Sequence, residues 1–231
     1  MGLAANWRKL RLREAGRRGY FYLTPGNYAL YRQFRAHAAR RLRGLILDAG
    51  AGYGAWRPVL EKCGHVVAVD ISRQGDADAA ADLKKLPFRD GAFDAVFCSQ
   101  VVEHERDPAA LLAELRRVVK RDGTLVLTAP HLSRLHDSPG DYYRFTAEGL
   151  RFLAEGAGFA AEDVTPCGGL SSFLGHNLNV LILALVTPVP LVGRLVVALA
   201  KLTSPWWPAL DRLLDAKGVF ALNWMLAGRK R

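Results

Sequence analysis

One short passage constrains this chain more than any other. Leu45–Asp48 is an apolar run ending on an acid, and Ala49, Gly50, Ala51, Gly52, Tyr53 and Gly54 follow at once. Glycines this dense mark backbone that turns sharply and lets a ligand lie where a Cβ would collide. A second apolar run, Val66–Asp70, also ends on an acid, 18 residues after Gly52. An acid about 20 residues past a nucleotide-binding glycine turn is placed to accept the hydroxyls of a ribose. Phe93–Ser99 and Thr124–Pro130 are two further buried-strand candidates, and Phe159–Thr165 and Val219–Ala227 read as the last two. Between them, Asp107 and Pro108 open a helix that runs to Lys120, with Leu111, Leu112, Leu115, Val118 and Val119 at helical spacing and Gly123 just beyond it. Thr146 starts another, ended by Gly156 and Gly158. Strands alternating with helices predict an α/β fold: a Rossmann-like, doubly wound, mostly parallel seven-stranded sheet.

The glycine turn admits two cofactors. Gly50-x-Gly52-x-x-Ala55 satisfies the relaxed dinucleotide pattern, which points to an NAD(P)-dependent oxidoreductase. Asp48 argues the other way, because a carboxylate ahead of the first glycine repels a pyrophosphate and suits a cation. S-adenosylmethionine carries an ammonium and a sulfonium and no phosphate. Asp48–Gly54 resembles motif I of class I S-adenosylmethionine-dependent methyltransferases, and Asp70 resembles the ribose-binding acid of motif II. Asp82–Phe88, Asp90–Asp94, Val102–His104 and Leu115–Gly123 then resemble the type-11 branch in order and spacing, so that the likeness spans roughly residues 44–160. The resemblance implies S-adenosylmethionine as cofactor, held around Asp48, Gly50, Ala51, Gly52, Tyr53 and Gly54. It implies Asp70 on the ribose with Ile71 beside it, and Asp82 at the adenine amino group with Leu83 as the adjacent adenine contact. Ser99 and Gln100 match positions lining the methionine portion. Only 11 residues separate Asp70 from Asp82. That is close to the minimum for a crossover, so the usual helix there is expected to be very short or replaced by loop.

Open sheets of this kind bind ligands beyond the carboxyl ends of their strands. The segment from His131 to Phe145 gathers His131, Arg134, His136, Asp137, Asp141, Tyr142, Tyr143 and Arg144 at such an end. His131 is the first candidate general base and His136 the second, with Tyr142 and Arg144 to position the acceptor. The same side chains would equally serve to solvate a loop. His104 reads as a packing or cofactor-lining residue. Asp141–Thr146 resembles a segment that borders the acceptor pocket in type-11 relatives.

Charge is distributed unevenly. The net charge is +10, and residues 1–43 hold 11 Lys/Arg against Glu14 alone. Leu3, Trp7 and Leu10 share a helical face among Arg8, Lys9, Arg11, Arg13, Arg17 and Arg18, a basic amphipathic pattern suited to an anionic membrane surface. Nucleic acid is the competing partner for such a segment. Residues 165–193 carry no Lys, Arg, Asp or Glu. A spanning helix of about 20 residues is not expected there, because Thr187–Pro190 breaks the run and Arg194 interrupts it. An interfacial two-helix hairpin, a lid over an apolar acceptor, or a helical subdomain packed on the body or on a twin subunit all fit. Trp206-Trp207-Pro208 supplies the aromatic pair common at bilayer boundaries. The composition thus divides the chain into a basic arm (1–43), a donor-binding domain (44–167 and 218–231) and an apolar helical insertion before the last strand (168–217). Cys63, Cys98 and Cys167 are widely spaced, which excludes a disulfide framework, leaves no metal site evident in the sequence and favours a reducing compartment. With no secretory signal in view, a cytoplasmic protein peripheral to the inner membrane face is expected. The predicted activity is methyl transfer from S-adenosylmethionine to an apolar or lipid-linked small molecule. An RNA or protein acceptor using the basic arm is the alternative.

Overall fold

The computed structural model describes residues 2–15, 17, 19–72, 75, 77–136 and 140–231; Arg18 and Asp137, named above, lie outside them. In chain order the first elements are α1 (Leu3–Glu14), α2 (Pro25–Gln33), β1 (Leu45–Ala49), α3 (Arg57–Leu60), β2 (His65–Asp70) and β3 (Ala79–Ala80). They are followed by β4 (Phe93–Ser99), α4 (Pro108–Val118), β5 (Val119–Pro130), α5 (Ala147–Gly156) and β6 (Phe159–Cys167). The chain ends with α6 (Leu170–Val186), α7 (Pro190–Thr203), α8 (Trp207–Leu214) and β7 (Asn223–Lys230). Two compact units result: Gln33–Thr165 with Asn223–Arg231, and Met1–Arg32 with Pro166–Leu222. They part at 32/33, 165/166 and 222/223, where composition had suggested 43/44, 167/168 and 217/218.

The seven strands form one sheet in the order β3-β2-β1-β4-β5-β7-β6. β1 pairs parallel with β2 and β4, β2 with β3, and β4 with β5, while β7 runs antiparallel to β5. The mostly parallel Rossmann-like expectation therefore holds. Ile46, Leu47, Val96, Phe97, Leu125 and Leu127 are fully buried, as strands covered on both faces require. Helix starts follow their capping residues: Asp107 accepts from the Ala110 amide at 3.0 Å and Thr146 from the Gly149 amide at 3.0 Å.

Some boundaries differ from expectation. The helix read to Lys120 stops at Val118, because Val119 pairs with Phe93 and opens β5. The last strand begins at Asn223 rather than Val219. The Asp215 carboxylate accepts from the amides of Val219 at 2.9 Å and Phe220 at 2.8 Å, and Gly218 adopts φ +68°, so this stretch is committed to a turn. The glycine turn leads only to α3, a single helical turn. Between β2 and β3 the described residues hold no helix. Asp78 instead exchanges two 2.8 Å hydrogen bonds with the main chain of Ala68, its amide donating and its carboxylate accepting, which returns the chain beside β2.

In the helical unit, Trp7 and Leu10 of α1 bury with Leu23, Val180, Leu183, Ala184, Val197 and Ala200. Leu3, expected on the same face, is exposed; contact with α6 begins one turn later, where the Asn6 amide side chain donates to the Ala184 carbonyl at 3.1 Å. Glu14 is buried beside the Lys201 ammonium at 2.7 Å. Burial raises its pKa, but Lys201, Arg13 and Arg17 together hold the carboxyl below its ordinary value. The N-terminus of α6 is closed from α8: Asp211 accepts from the amides of Gly169 at 2.9 Å and Ser172 at 3.0 Å and from the hydroxyls of Ser171 and Ser172. A Cβ on Gly175 would stand 2.4 Å from the Trp207 ring, so only glycine lets α8 approach α6 this closely. Among the described residues, no helix is long and apolar enough to cross a membrane.

Candidate functional site

Gly50, Gly52 and Gly54 all lie in the left-handed region, at φ +81°, +54° and +75°, where a Cβ is costly. The amides of Gly50 and Ala51 donate to the Val69 carbonyl, and the Gly52 amide donates to Asp70 Oδ2 at 2.8 Å. The acid ending β2 therefore fixes the turn that leaves β1. A Cβ at Gly50 would strike Val101 at 2.3 Å, whereas one at Gly52 would meet nothing within 4 Å. The backbone at Gly52 thus borders open space. Asp48 is buried behind the turn, and its Oδ2 has no hydrogen-bond partner. Burial pushes its carboxyl up to about 7, with Arg57 opposing the rise and Asp70 adding to it.

The other expected donor contacts surround the same strand ends. Ile71 stands 73% exposed just past β2, and Tyr53 is exposed on the turn. Asp82 accepts from the Lys84 amide at 2.9 Å, and Lys84 keeps its carboxyl below the ordinary range. Leu83 turns its side chain into the core, leaving only its main chain for a ligand. This segment is held from α4: Arg117 donates to the carbonyls of Leu86 at 3.1 Å and Phe88 at 2.8 Å, while Glu114 accepts from the Leu86 amide at 2.7 Å. At the end of β4, Ser99 Oγ lies 2.8 Å from Thr128 Oγ1, and Gln100 takes a left-handed φ of +59°. That conformation is uncommon for a residue with a side chain, and it turns the backbone out of the strand.

Beyond β5 the candidate catalytic residues separate. His131 sets its ring 6.1 Å from Trp224 of β7. His136 lies apart, packed edge-on against His104 at 5.0 Å. Tyr142 faces outward, its hydroxyl accepting from Arg106 at 2.9 Å. Arg144 spends its five N–H groups inside the loop: on Ser133 O at 3.0 Å, Asp141 Oδ1 at 2.6 Å, Tyr143 O at 2.7 Å, Arg134 O at 2.8 Å and Asp141 Oδ2 at 2.7 Å. It braces the loop, with no donor left for an acceptor. Asp141, held far below the ordinary carboxyl range mainly by Arg144, is the other half of that brace. The sequence reading passed over Glu103, which proves fully buried between His104 and His136. The signal was an acid set between Val102 and His104 directly after a strand.

Residues 47–127 match the family model described as a methyltransferase domain. This match places a type-11 methyltransferase domain in the central part of the chain. The match supports S-adenosylmethionine, rather than a dinucleotide, as the cofactor. A demethylmenaquinone methyltransferase of Clavibacter sepedonicus is 29% identical over 208 residues, covering 74% of this chain and 84% of that protein. The chain spans less than half the length of the first curated relatives it matches, at 39%, 29% and 46%. Among solved structures, the [4+2]-cyclase SpnF shares the fold at TM-score 0.58 and 19% identity over 88% of this chain and 80% of that one. Haemonchus contortus phosphoethanolamine N-methyltransferase 2, solved with S-adenosyl-L-methionine, superposes at TM-score 0.56 and 20% identity over 88% of this chain and 52% of that one. The site fits this cofactor by its own chemistry. An unpartnered buried carboxylate oxygen suits an ammonium, and open space beside Gly52 suits a ligand against the backbone.

Proposed function

We propose that this methyltransferase moves a methyl group from S-adenosylmethionine to an apolar or lipid-linked small molecule while bound to an anionic membrane surface. Asp48, the Gly50–Gly54 turn, Asp70 and Asp82 would hold the donor. The donor is intrinsically reactive, so the chain's main task is to align an acceptor and exclude water, and such alignment is worth ~7–11 kcal/mol of barrier. His131, alone among the four candidate acceptor residues, is free of the Glu103–Asp141–Arg144 network and of Arg106. It stays the first candidate base for a hydroxyl acceptor.

One observation carries the membrane part of this reading: the helical unit turns its large apolar side chains outward. Fifteen of the exposed large hydrophobic residues fall between Leu174 and Leu214, with Leu191 at 80% and Leu213 at 84% exposure. Apolar surface this extensive marks an interaction face. Exposed Arg8, Lys9, Arg13 and Arg17 in the same unit suit anionic headgroups, each worth ~1 kcal/mol near such a surface. The Clavibacter relative, whose name gives demethylmenaquinone as its acceptor, fits an acceptor that resides in lipid. The test is to incubate the protein and radiolabelled donor separately with lipid, RNA and protein fractions. Label is expected in the lipid extract. Label confined to RNA or protein would overturn the acceptor class, and sedimentation with anionic vesicles that ignores salt would overturn the membrane location.

A further inference from the structure

The Glu103 carboxylate and the Nε2 atoms of His104 and His136 converge beyond the ends of β4 and β5. Glu103 is wholly shielded from solvent, and neither of its carboxylate oxygens has a hydrogen-bond partner. A carboxylate in that condition costs several kcal/mol unless a cation faces it, as a rough scale. His104 Nε2 and His136 Nε2 each lie 3.7 Å from Glu103 Oε1.

The proton positions follow from the surroundings. His104 Nδ1 sits 2.6 Å from the Gly140 carbonyl, which can only accept, so Nδ1 carries a hydrogen and Nε2 is the ring nitrogen turned toward Glu103. His136 Nδ1 has Arg134 O at 3.3 Å, Asp141 Oδ2 at 3.6 Å and Arg144 Nη2 at 3.4 Å. Every Arg144 proton is already given elsewhere. His136 likewise turns its Nε2 toward Glu103. Two imidazoles with main-chain carbonyls at Nδ1, closely for His104 and at 3.3 Å for His136, match the outer-shell arrangement of metal-bound histidines.

We propose that Glu103, His104 and His136 bind one divalent transition-metal ion of the zinc class. One ligating atom from each lies within 4.8 Å of the others. Tetrahedral zinc ligands stand ~3.3–3.6 Å apart given bonds of about 2.0–2.2 Å. The two 3.7 Å separations therefore need only a few tenths of an ångström of closure. The nitrogen and oxygen donors suit a borderline ion, and three protein ligands leave a position open, as in reactive rather than closed sites. The three residues follow the carboxyl ends of adjacent strands, which puts the cluster at the end of the sheet where open α/β folds bind ligands.

The test uses the full chain without a polyhistidine tag, stripped with chelator. Dialysis against Zn2+ should leave about one ion per chain, and Co2+ should give the intense visible bands of a four- or five-coordinate ion rather than those of the aqua ion. Glu103→Gln, His104→Ala and His136→Ala should each weaken Zn2+ binding at least 10-fold. His65→Ala, at the opposite end of β2, should not. No retained Zn2+, an aqua-like Co2+ spectrum, or retention indifferent to the three substitutions would each overturn the site. If a variant fails to fold, the wild-type Co2+ spectrum decides alone. Neither donor nor acceptor enters the measurement, so its failure would leave the methyl-transfer reading intact.

Discussion

The two units solve burial in opposite senses. In the sheet unit, Ile46, Leu47, Val96, Phe97 and Leu125 point inward, and the buried acids Asp48 and Glu103 lie just where strands end. In the helical unit, α6 turns Ser171, Ser172 and Gly175 inward and Leu174, Leu178, Leu181 and Leu185 outward. α7 does likewise, burying Gly193, Val197 and Ala200 while Leu191, Leu195, Leu199 and Leu202 stay exposed. The sheet unit spends its apolar surface on its own core. The helical unit adds polar links, Asp211 on the start of α6 and Lys201 on Glu14, to a smaller apolar cluster, and leaves most of its α6 and α7 leucines exposed.

The largest expected effect breaks this contrast directly. Combining Leu191→Glu, Leu195→Glu and Leu199→Glu should reduce affinity for anionic vesicles by about 10-fold per leucine, since burying one is worth ~1.5–3 kcal/mol. Thermal stability should move little, because these side chains are mostly exposed. Unchanged sedimentation would mean the outward leucines serve no lipid surface. Next comes Asp70→Ala, which removes the acceptor for the Gly52 amide and the proposed ribose contact together. Hydrogen bonds to a charged group are worth ~1.5–3 kcal/mol each, so S-adenosylhomocysteine should bind at least about 30-fold more weakly by calorimetry. Vesicle binding should be unaffected. Retained nucleoside affinity would remove Asp70 from the ribose site.

The sheet unit was largely legible in the sequence because its signals are local. Strand period, capping residues and glycines at fixed offsets place β1, β2, β4 and β5 and the turn that joins the first two. What escaped is long-range. Nothing near Trp7 or Glu14 announces that α1 packs on residues some 180 positions away, so a basic arm and an apolar insertion read as separate parts. The uncharged, leucine-rich stretch over α6 read as a plain apolar run, since composition cannot say that Ser171, Ser172 and Gly175 are buried and Leu174, Leu178, Leu181 and Leu185 exposed. Arg144 and His136 looked reactive because polar residues in a loop reveal neither their partners nor how many of their protons are already taken.

Gly175→Ala sharpens the comparison within the helical unit. The added methyl would stand 2.4 Å from the Trp207 ring, and overpacking of this kind costs ~1–3 kcal/mol. The denaturation midpoint should fall accordingly. Leu178→Ala, on the exposed face, should stay within about 0.5 kcal/mol of the parent. A reversal, with the large residue costly and the small one silent, would mean that α6 buries its leucines after all.

The smallest effect concerns charge at the donor site. Asp48 has its carboxyl raised to about 7 by burial, against about 3.9 in an unfolded chain. Between those values the folded state holds a proton that the unfolded state has released, so stability declines as pH rises through the window and levels off above about 7. A cationic donor has the opposite preference and favours the ionised acid. Donor affinity should therefore fall as pH drops below 7, approaching about 10-fold per unit, and binding at pH 6 should release a proton. Calorimetry in two buffers of different ionisation enthalpy measures that proton. Asp48→Asn should flatten the affinity profile and stabilise the ligand-free protein at pH 8. If the wild type releases no proton and the variant keeps the same profile, Asp48 is an ordinary buried carboxyl and the cationic part of the donor is held elsewhere.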